Sequence, residues 1–313
     1  MAGPQEQPED AAPELAAFGE HRSLLFTIAY DMLGSVADAE DVVQETWLRW
    51  AAVDHDGVRN HRAYMVRITT HLAMERIRRA RGDRERYIGP WLPEPLWTDP
   101  DPTEELDRED DVSLGLLVVL ETLTPLERAA FVLREAFAFD HGEIAQILDR
   151  SPVAVRQLTH RARQHVEARR PRFEVDPATA RDAAERFVNA SLGGSISALV
   201  RVLAPDVTLW TDGGGKVRAA LRPVHGAEKV SRLLSRVAPP LADFRAEWAQ
   251  IGGTCQVLFT DEHGRAHLFL SLETDGHGRE IRQIYGVFNP DKLAHLVPPA
   301  PDEQGGIDVV PSR

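Results

Sequence analysis

The side chains best placed to do chemistry lie on one face of a short stretch, residues 152–166. Val153, Arg156, Gln157, His160, Arg163 and Gln164 alternate there with Val155, Leu158, Ala162 and Val166, which recur at i, i+3, i+7 and i+11. A helix so patterned anchors itself by its apolar stripe and turns the opposite face outward. Guanidinium and carboxamide groups near a helix start are what reading base edges in a DNA major groove requires. A second basic stretch, Ala63 to Arg81, puts Met65, Val66, Ile68, Leu72, Ala73 and Ile77 on one side. It puts Arg67, His71, Met74, Glu75, Arg78 and Arg81 on the other. A cationic helix of this kind suits phosphate, and the polar loop before it, Val53 to His61, suits an unstacked base. Tyr64 reads either as a stacking platform or as a core residue. Between Ser35 and Trp50 the chemistry reverses: Asp38, Glu40, Asp41 and Glu45 alternate with Val42, Val43, Trp47 and Leu48. That acidic, aromatic-bearing face suits a protein partner better than DNA, or is an ordinary amphipathic core helix.

These faces need particular elements to hold them. Ser151 offers a hydroxyl N-cap and Pro152 fits the first helical position, so a helix is predicted from there. Upstream, Ile144, Ala145, Ile147 and Leu148 predict a short helix, and Asp149–Arg150 a turn. Thr124-Pro-Leu-Glu127 is a capping box opening an earlier helix. The result is a helix-turn-helix, with a plain helical hairpin as the alternative.

Composition bounds the rest. At 313 residues, with 43% hydrophobic and 27% charged, the chain is globular and long enough for two or three domains. No apolar run approaches the ~20 residues of a membrane helix. Met1 to Asp10 has no apolar core and does not read as a secretory signal. The single cysteine, Cys255, excludes an internal disulfide and a cysteine zinc site, so the expected compartment is the cytoplasm. Neither metal nor cofactor is expected. The net charge of −13 argues against nucleic acid until it is divided. Arg59 to Arg86 holds nine Arg against three acids, and Arg150 to Arg172 seven Arg against one. Two basic patches on an acidic body suggest two contacts with a polyanion.

Helical patterning runs from 15 to 88. An acidic, proline-rich linker follows over 89–111, with nine acids and one Arg between Glu94 and Asp111. The helix-turn-helix segment occupies 112–171. Residues 176–297 mix helices (178–191, 195–203, 227–237), an alternating strand at 207–211 and three or four later strands. Residues 1–14 and 298–313 read as disordered tails.

Asp38-Ala-Glu-Asp-Val-Val-Gln-Glu-Thr-Trp-Leu-Arg-Trp50 resembles region 2 of the bacterial extracytoplasmic-function (ECF) sigma factors. The basic helix after Asn60-His-Arg-Ala-Tyr64 resembles their −10 reading segment. Glu143-Ile-Ala-Gln-Ile-Leu148 with His160-Arg-Ala-Arg163 resembles their region 4, which reads the −35 element. Trp91-Leu-Pro-Glu-Pro95, Asp212-Gly-Gly-Gly-Lys216 and Asn289-Pro-Asp-Lys-Leu293 together look like the sigma J type subgroup, which carries a fused SnoaL-like domain. The resemblance implies a multidomain fold: two all-α sigma domains joined by an extended linker, then an α+β cone-shaped domain.

It also implies a promoter-specificity subunit of RNA polymerase without a catalytic centre. Asp38, Glu40, Asp41, Gln44, Glu45, Trp47 and Leu48 would bind core polymerase, through its beta and beta-prime subunits. His61, Arg62, Tyr64, Arg67, His71, Glu75 and Arg78 would engage the −10 element of promoter DNA. His71 and Glu75 stand where many relatives carry Asn and Asp, which bears on base preference. Val153, Arg156, Gln157, His160, Arg161, Arg163 and Gln164 would engage the −35 element. The C-terminal domain would stand in for a separate anti-sigma protein. Asp212, Gly213, Gly214, Gly215 and Lys216, with Asn289, Pro290, Asp291, Lys292 and Leu293, are expected to face the linker near Trp91, Leu92, Pro93, Glu94 and Pro95.

Two rival readings attach to the same domain. One is a one-component transcription factor whose C-terminal domain binds a small-molecule ligand of unknown identity. The other is an enzyme, for which Trp210, Asp212, His225 and Tyr285 are the candidates in a hydrophobic pocket. The three glycines after Asp212 suit positive φ or close backbone approach, not a phosphate loop.

Overall fold

The computed structural model describes residues 13–53, 57–97, 113–169, 175–251 and 254–296. Both terminal tails, the acidic stretch 98–112, Pro171 and the Gly252–Gly253 turn lie outside the described residues. The chain divides into two compact units, 1–81 with 120–165 and 82–119 with 166–313.

The first unit is helical. Helices α1 (Pro13–Leu33) and α2 (Val36–Ala51) form a hairpin that turns at Gly34, φ 64°. Ser35 caps α2 by accepting from the Asp38 N–H at 3.3 Å. Trp50 is fully buried. Helix α3 (His61–Glu85) starts where Asn60 Oδ1 accepts from the Ala63 N–H at 2.9 Å. Thr46 and Thr69 meet through their hydroxyls, 3.0 Å apart, and satisfy each other between α2 and α3. Met74, which the sequence puts on the open face, is 3% exposed. The buried arc of α3 also takes in Thr69 and Thr70, so it is wider than a single apolar stripe.

Helix α4 (Leu114–Leu120) follows, then α5 (Pro125–Phe131), opened by the Thr124–Glu127 capping box and continued by a π-type turn, Val132–Ala136. Arg128 of α5 is buried. Its Nη1 donates to the Met32 carbonyl (2.7 Å), near the end of α1, and pairs with Glu121 (2.6 Å). Helix α6 (His141–Ile147) has an Asp140–Glu143 capping box, and α7 (Pro152–Arg169) begins with Ser151 Oγ accepting from the Ala154 N–H. Between them Asp149 adopts φ 52°, the left-handed conformation that Asp tolerates.

The second unit carries α8 (Pro177–Leu192), α9 (Ile196–Val202), β1 (Leu203–Asp212), β2 (Val224–His225) and α10 (Ala227–Val237). A single 3-10 turn, Pro239–Asp243, leads to β3 (Arg245–Ile251), β4 (Thr254–Thr260), β5 (Ala266–Thr274), β6 (Ile281–Val287) and α11 (Pro290–Leu293). The strand order is β2-β1-β6-β5-β4-β3. The sheet is mixed: neighbouring strands pair antiparallel, except that β6 returns beside β1 and pairs with it in parallel. Its register shifts between Leu203 and Thr208, the stretch that contains Pro205, which has no N–H for a ladder.

Period-two alternation gives this sheet two buried faces. The row Leu209–Ile284–Leu272–Cys255 packs with Phe187, Val202 and Val230 from the helices. The neighbouring row, Asp212–Val287–Phe269–Leu258, faces the other way, against Leu92, Leu114 and Leu296. Gly115 brings α4 close to this face: a Cβ there would lie 2.0 Å from Glu273 Oε1.

Candidate nucleic-acid interface and the Asp212 clasp

The stripe Val155, Leu158, Ala162 and Val166 of α7 is buried, and its other face is open. Arg156, Gln157, His160 and Gln164 are exposed, and their side chains make no hydrogen bond or ion pair with a described residue. Val153 is 55% exposed beside them. Arg161 and Arg163 differ, since each is tied back to its own unit, to Glu127 (3.4 Å) and Glu135 (2.5 Å). Three of these four, Arg156, Gln157 and His160, lie in the first turns of the second helix of a helix-turn-helix. That is the geometry of base-edge readout.

On α3 the candidates are mostly engaged. His61 and Tyr64 pack on the Trp50 ring, at 5.0 and 6.0 Å between centroids. Arg62 lies over the Phe139 ring at 4.7 Å. Arg67 donates to both carboxylate oxygens of Asp149, at 2.8 and 2.9 Å, and His71 Nε2 lies 2.8 Å from the Ile147 carbonyl oxygen. Two α3 candidates thus meet the turn between α6 and α7. Glu75 pairs with Arg79, and Arg78 has no such partner among the described residues.

On α2, Asp38 and Asp41 both accept from Arg76 of α3 (2.8 and 3.1 Å), holding the guanidinium charged in spite of its burial. Glu40 pairs with Arg22 and Glu45 with Arg49. Trp47 packs on Phe18, while Gln44 and Leu48 are exposed, Leu48 at 67%.

In the second unit Asp212 ends β1 with no exposed surface. Its Oδ1 accepts from Tyr87 Oη–H (2.6 Å) and the Gly214 N–H (3.0 Å). Its Oδ2 accepts from the Leu92 N–H (2.9 Å) and Lys292 Nζ (2.8 Å). Lys292 also donates to the Leu92 carbonyl and lies over the Trp91 ring at 4.1 Å. Asn289 donates from Nδ2 to the Tyr87 oxygen, and His295 meets the Pro95 carbonyl. Burial pushes the Lys292 ammonium below the usual lysine range, with Asp212 opposing it. Burial and the Asp212 carboxylate raise the Tyr87 phenol. A buried ion pair persists only when such extra bonds satisfy both partners, as they do here.

The glycines make the clasp close. Gly214 (φ 58°) sits where a Cβ would fall 2.3 Å from Asn289 Nδ2, and Gly215 (φ 72°) packs against Ile88. Lys216 and Asp291 pair at its edge, at 2.5 Å. Of the remaining candidates, Pro290 opens α11 and Leu293 joins the sheet-face core with Leu92. Glu94 has a partner, and Pro93 lies in the same extended segment. Sequence reading missed Tyr87, Arg84, which stacks on Trp91 at 3.8 Å, and His295. The one local hint was a tyrosine isolated in a run of charges just before Gly89–Pro90.

Of the enzyme candidates, Trp210 and Tyr285 are register partners on the sheet face that carries Asp212 and packs Leu92 and Leu114, Asp212 is closed in the clasp, and His225 is exposed and bonded to Thr208. Among the described residues no cluster of three or more His, Cys, Asp or Glu could hold a metal, and no helix is long and apolar enough to cross a membrane.

Two family models match: Sigma-70 region 2 over residues 17–82 and Sigma-70, region 4 over 113–166. The ECF RNA polymerase sigma factor SigJ of Mycobacterium tuberculosis is 39% identical over 236 residues, 73% of this chain and 75% of that protein. The probable ECF RNA polymerase sigma factor SigI of the same species is 33% identical over 287 residues, 91% and 96% of the two chains. The crystal structure of Mycobacterium tuberculosis SigJ superposes with a TM-score of 0.69 at 32% identity, covering 90% of this chain and 98% of that one.

Proposed function

The chain belongs to the extracytoplasmic-function RNA polymerase sigma factors, and we propose that its parts divide promoter recognition and its control as follows. An alternative sigma factor binds core RNA polymerase and promoter DNA. The start of α7 reads the −35 element through Arg156, Gln157 and His160, with Val153 and Gln164 beside them and Arg161 and Arg163 on the flanking phosphates. The loop before α3 and its basic face, from His61 to Arg78, take the −10 element. The exposed part of α2, around Gln44, Glu45 and Leu48, meets core polymerase. The protein works in the cytoplasm, where polymerase is, and has no catalytic centre of its own.

The C-terminal domain, which resembles SnoaL-like folds, acts as a built-in regulator in place of a separate anti-sigma protein. It does so by holding residues 87–97 in the Asp212 clasp. That segment leads into an acidic stretch whose charge imitates a single nucleic-acid strand. The observation that carries the reading is the uncommitted Arg156–Gln157–His160 group at the start of α7, in a chain with the region 2 helices upstream. Run-off transcription with core polymerase tests it. The full chain initiates at its promoter, and Arg156→Ala with Gln157→Ala abolishes dependence on the −35 element. Asp212→Asn shifts the yield by threefold or more. Unchanged dependence on the −35 element refutes the assignment of α7, and an unchanged yield with Asp212→Asn refutes the regulatory clasp.

A further inference from the structure

The C-terminal domain also holds a cavity of about 620 Å3 on the helix-covered side of its sheet. It is distinct from the clasp: Thr211 lines it, whereas Asp212, one residue on, turns to the opposite face. Its walls are apolar, with Phe187, Leu209, Leu234, Phe259, Leu268 and Ile284 among them. The polar side chains of the wall are already satisfied. Ser191 Oγ donates to the Phe187 carbonyl at 2.8 Å. Thr211 Oγ1 donates to the Ala220 carbonyl and accepts from the Ala220 N–H. The body of an occupant therefore meets mainly apolar side chains and hydroxyls that are already engaged, which favours an apolar occupant.

Two charges break this pattern. Arg218, from the loop after β1, and Arg236, in the last turn of α10, both line the cavity and are both exposed. Neither makes an ion pair or side-chain hydrogen bond with a described residue. No acidic residue lines the cavity. An apolar chamber of this volume falls in the range of about 300–1,000 Å3 that holds small molecules, and a few polar groups usually set the ligand's orientation. Guanidinium groups match carboxylates in shape as well as charge.

We propose that this cavity binds an amphipathic monoanion of the fatty-acid type, its hydrocarbon chain inside and its carboxylate at Arg218 and Arg236. Titration calorimetry on the full chain, with ligands kept below their micelle concentration, tests this with dodecanoate and with 1-dodecanol, which has the same tail and no charge. Dodecanoate is expected to bind saturably at one per chain, at least tenfold tighter than dodecanol. Arg218→Gln with Arg236→Gln, both at exposed positions, should weaken dodecanoate at least tenfold and leave dodecanol unchanged. Leu234→Trp, which fills the chamber, should weaken both ligands. Saturable binding of neither ligand, equal affinity for both, or undiminished dodecanoate binding by the arginine double variant would each overturn the proposal. Should Leu234→Trp not fold, the arginine double variant still decides it.

Discussion

At the start of α7, Arg156, Gln157 and His160 stand exposed without described partners, whereas Lys292 and Asp212 are 5% and 0% exposed with their polar atoms occupied. Both regions draw on charged and hydrogen-bonding side chains. On α7 none of their interaction energy is used within the described fold, so altering them should leave folding intact and, on the function proposed, change binding. In the clasp it is spent within the fold, so altering them should change stability first and activity through it.

The sharpest way to break this contrast is Asp212→Ala. It strands the Lys292 ammonium in a buried site, and such a loss costs about 3–5 kcal/mol. Chemical denaturation should show the second unit weakened by that amount, and an unchanged midpoint would erase the distinction. Arg156→Ala should cost about 1–3 kcal/mol in promoter affinity, the worth of a good base contact. It should leave unfolding stability within about 0.5 kcal/mol, as surface changes usually do. Measuring both quantities on both variants gives the full cross-comparison. Next in size is salt: binding of the free chain to promoter DNA should be weak and fall steeply as salt rises, because phosphate contacts release counterions. Asp149→Ala frees the exposed Arg67, and since exposed pairs are worth about 0–1 kcal/mol, DNA affinity should rise by no more than a few-fold.

The smallest effect is spectroscopic. Tyr87 has a raised pKa, so its stabilising role is complete below the ordinary tyrosine value of about 10 and is lost as pH climbs beyond it. Absorbance titration near 295 nm should show late tyrosine ionisation, and Tyr87→Phe should reduce that late step by one tyrosine.

Helices announced themselves wherever a cap and a stripe coincided, as at Thr124–Glu127 and Ser151–Pro152, because both signals are local. The open face of α7 followed from the same stripe. Met74 misled because the buried arc of α3 depends on neighbours that the heptad-like pattern cannot name. The parallel pairing of β1 with β6 joins strands about seventy residues apart and leaves no mark in either. The short strings around Trp91, Asp212 and Asn289 were visible as strings. Tyr87 and His295 were not, since their partners Asp212 and Pro95 lie 125 and 200 residues away.

Cys255 sits on β4 with 1% exposure, and burial lifts its thiol to about 11. Maleimide-type reagents need an accessible thiolate, so the native chain should resist them at neutral pH. Each labelling event then records an excursion in which the sheet opens. With no other cysteine to interfere, the untouched sequence already contains a single-site clock for breathing of its C-terminal domain.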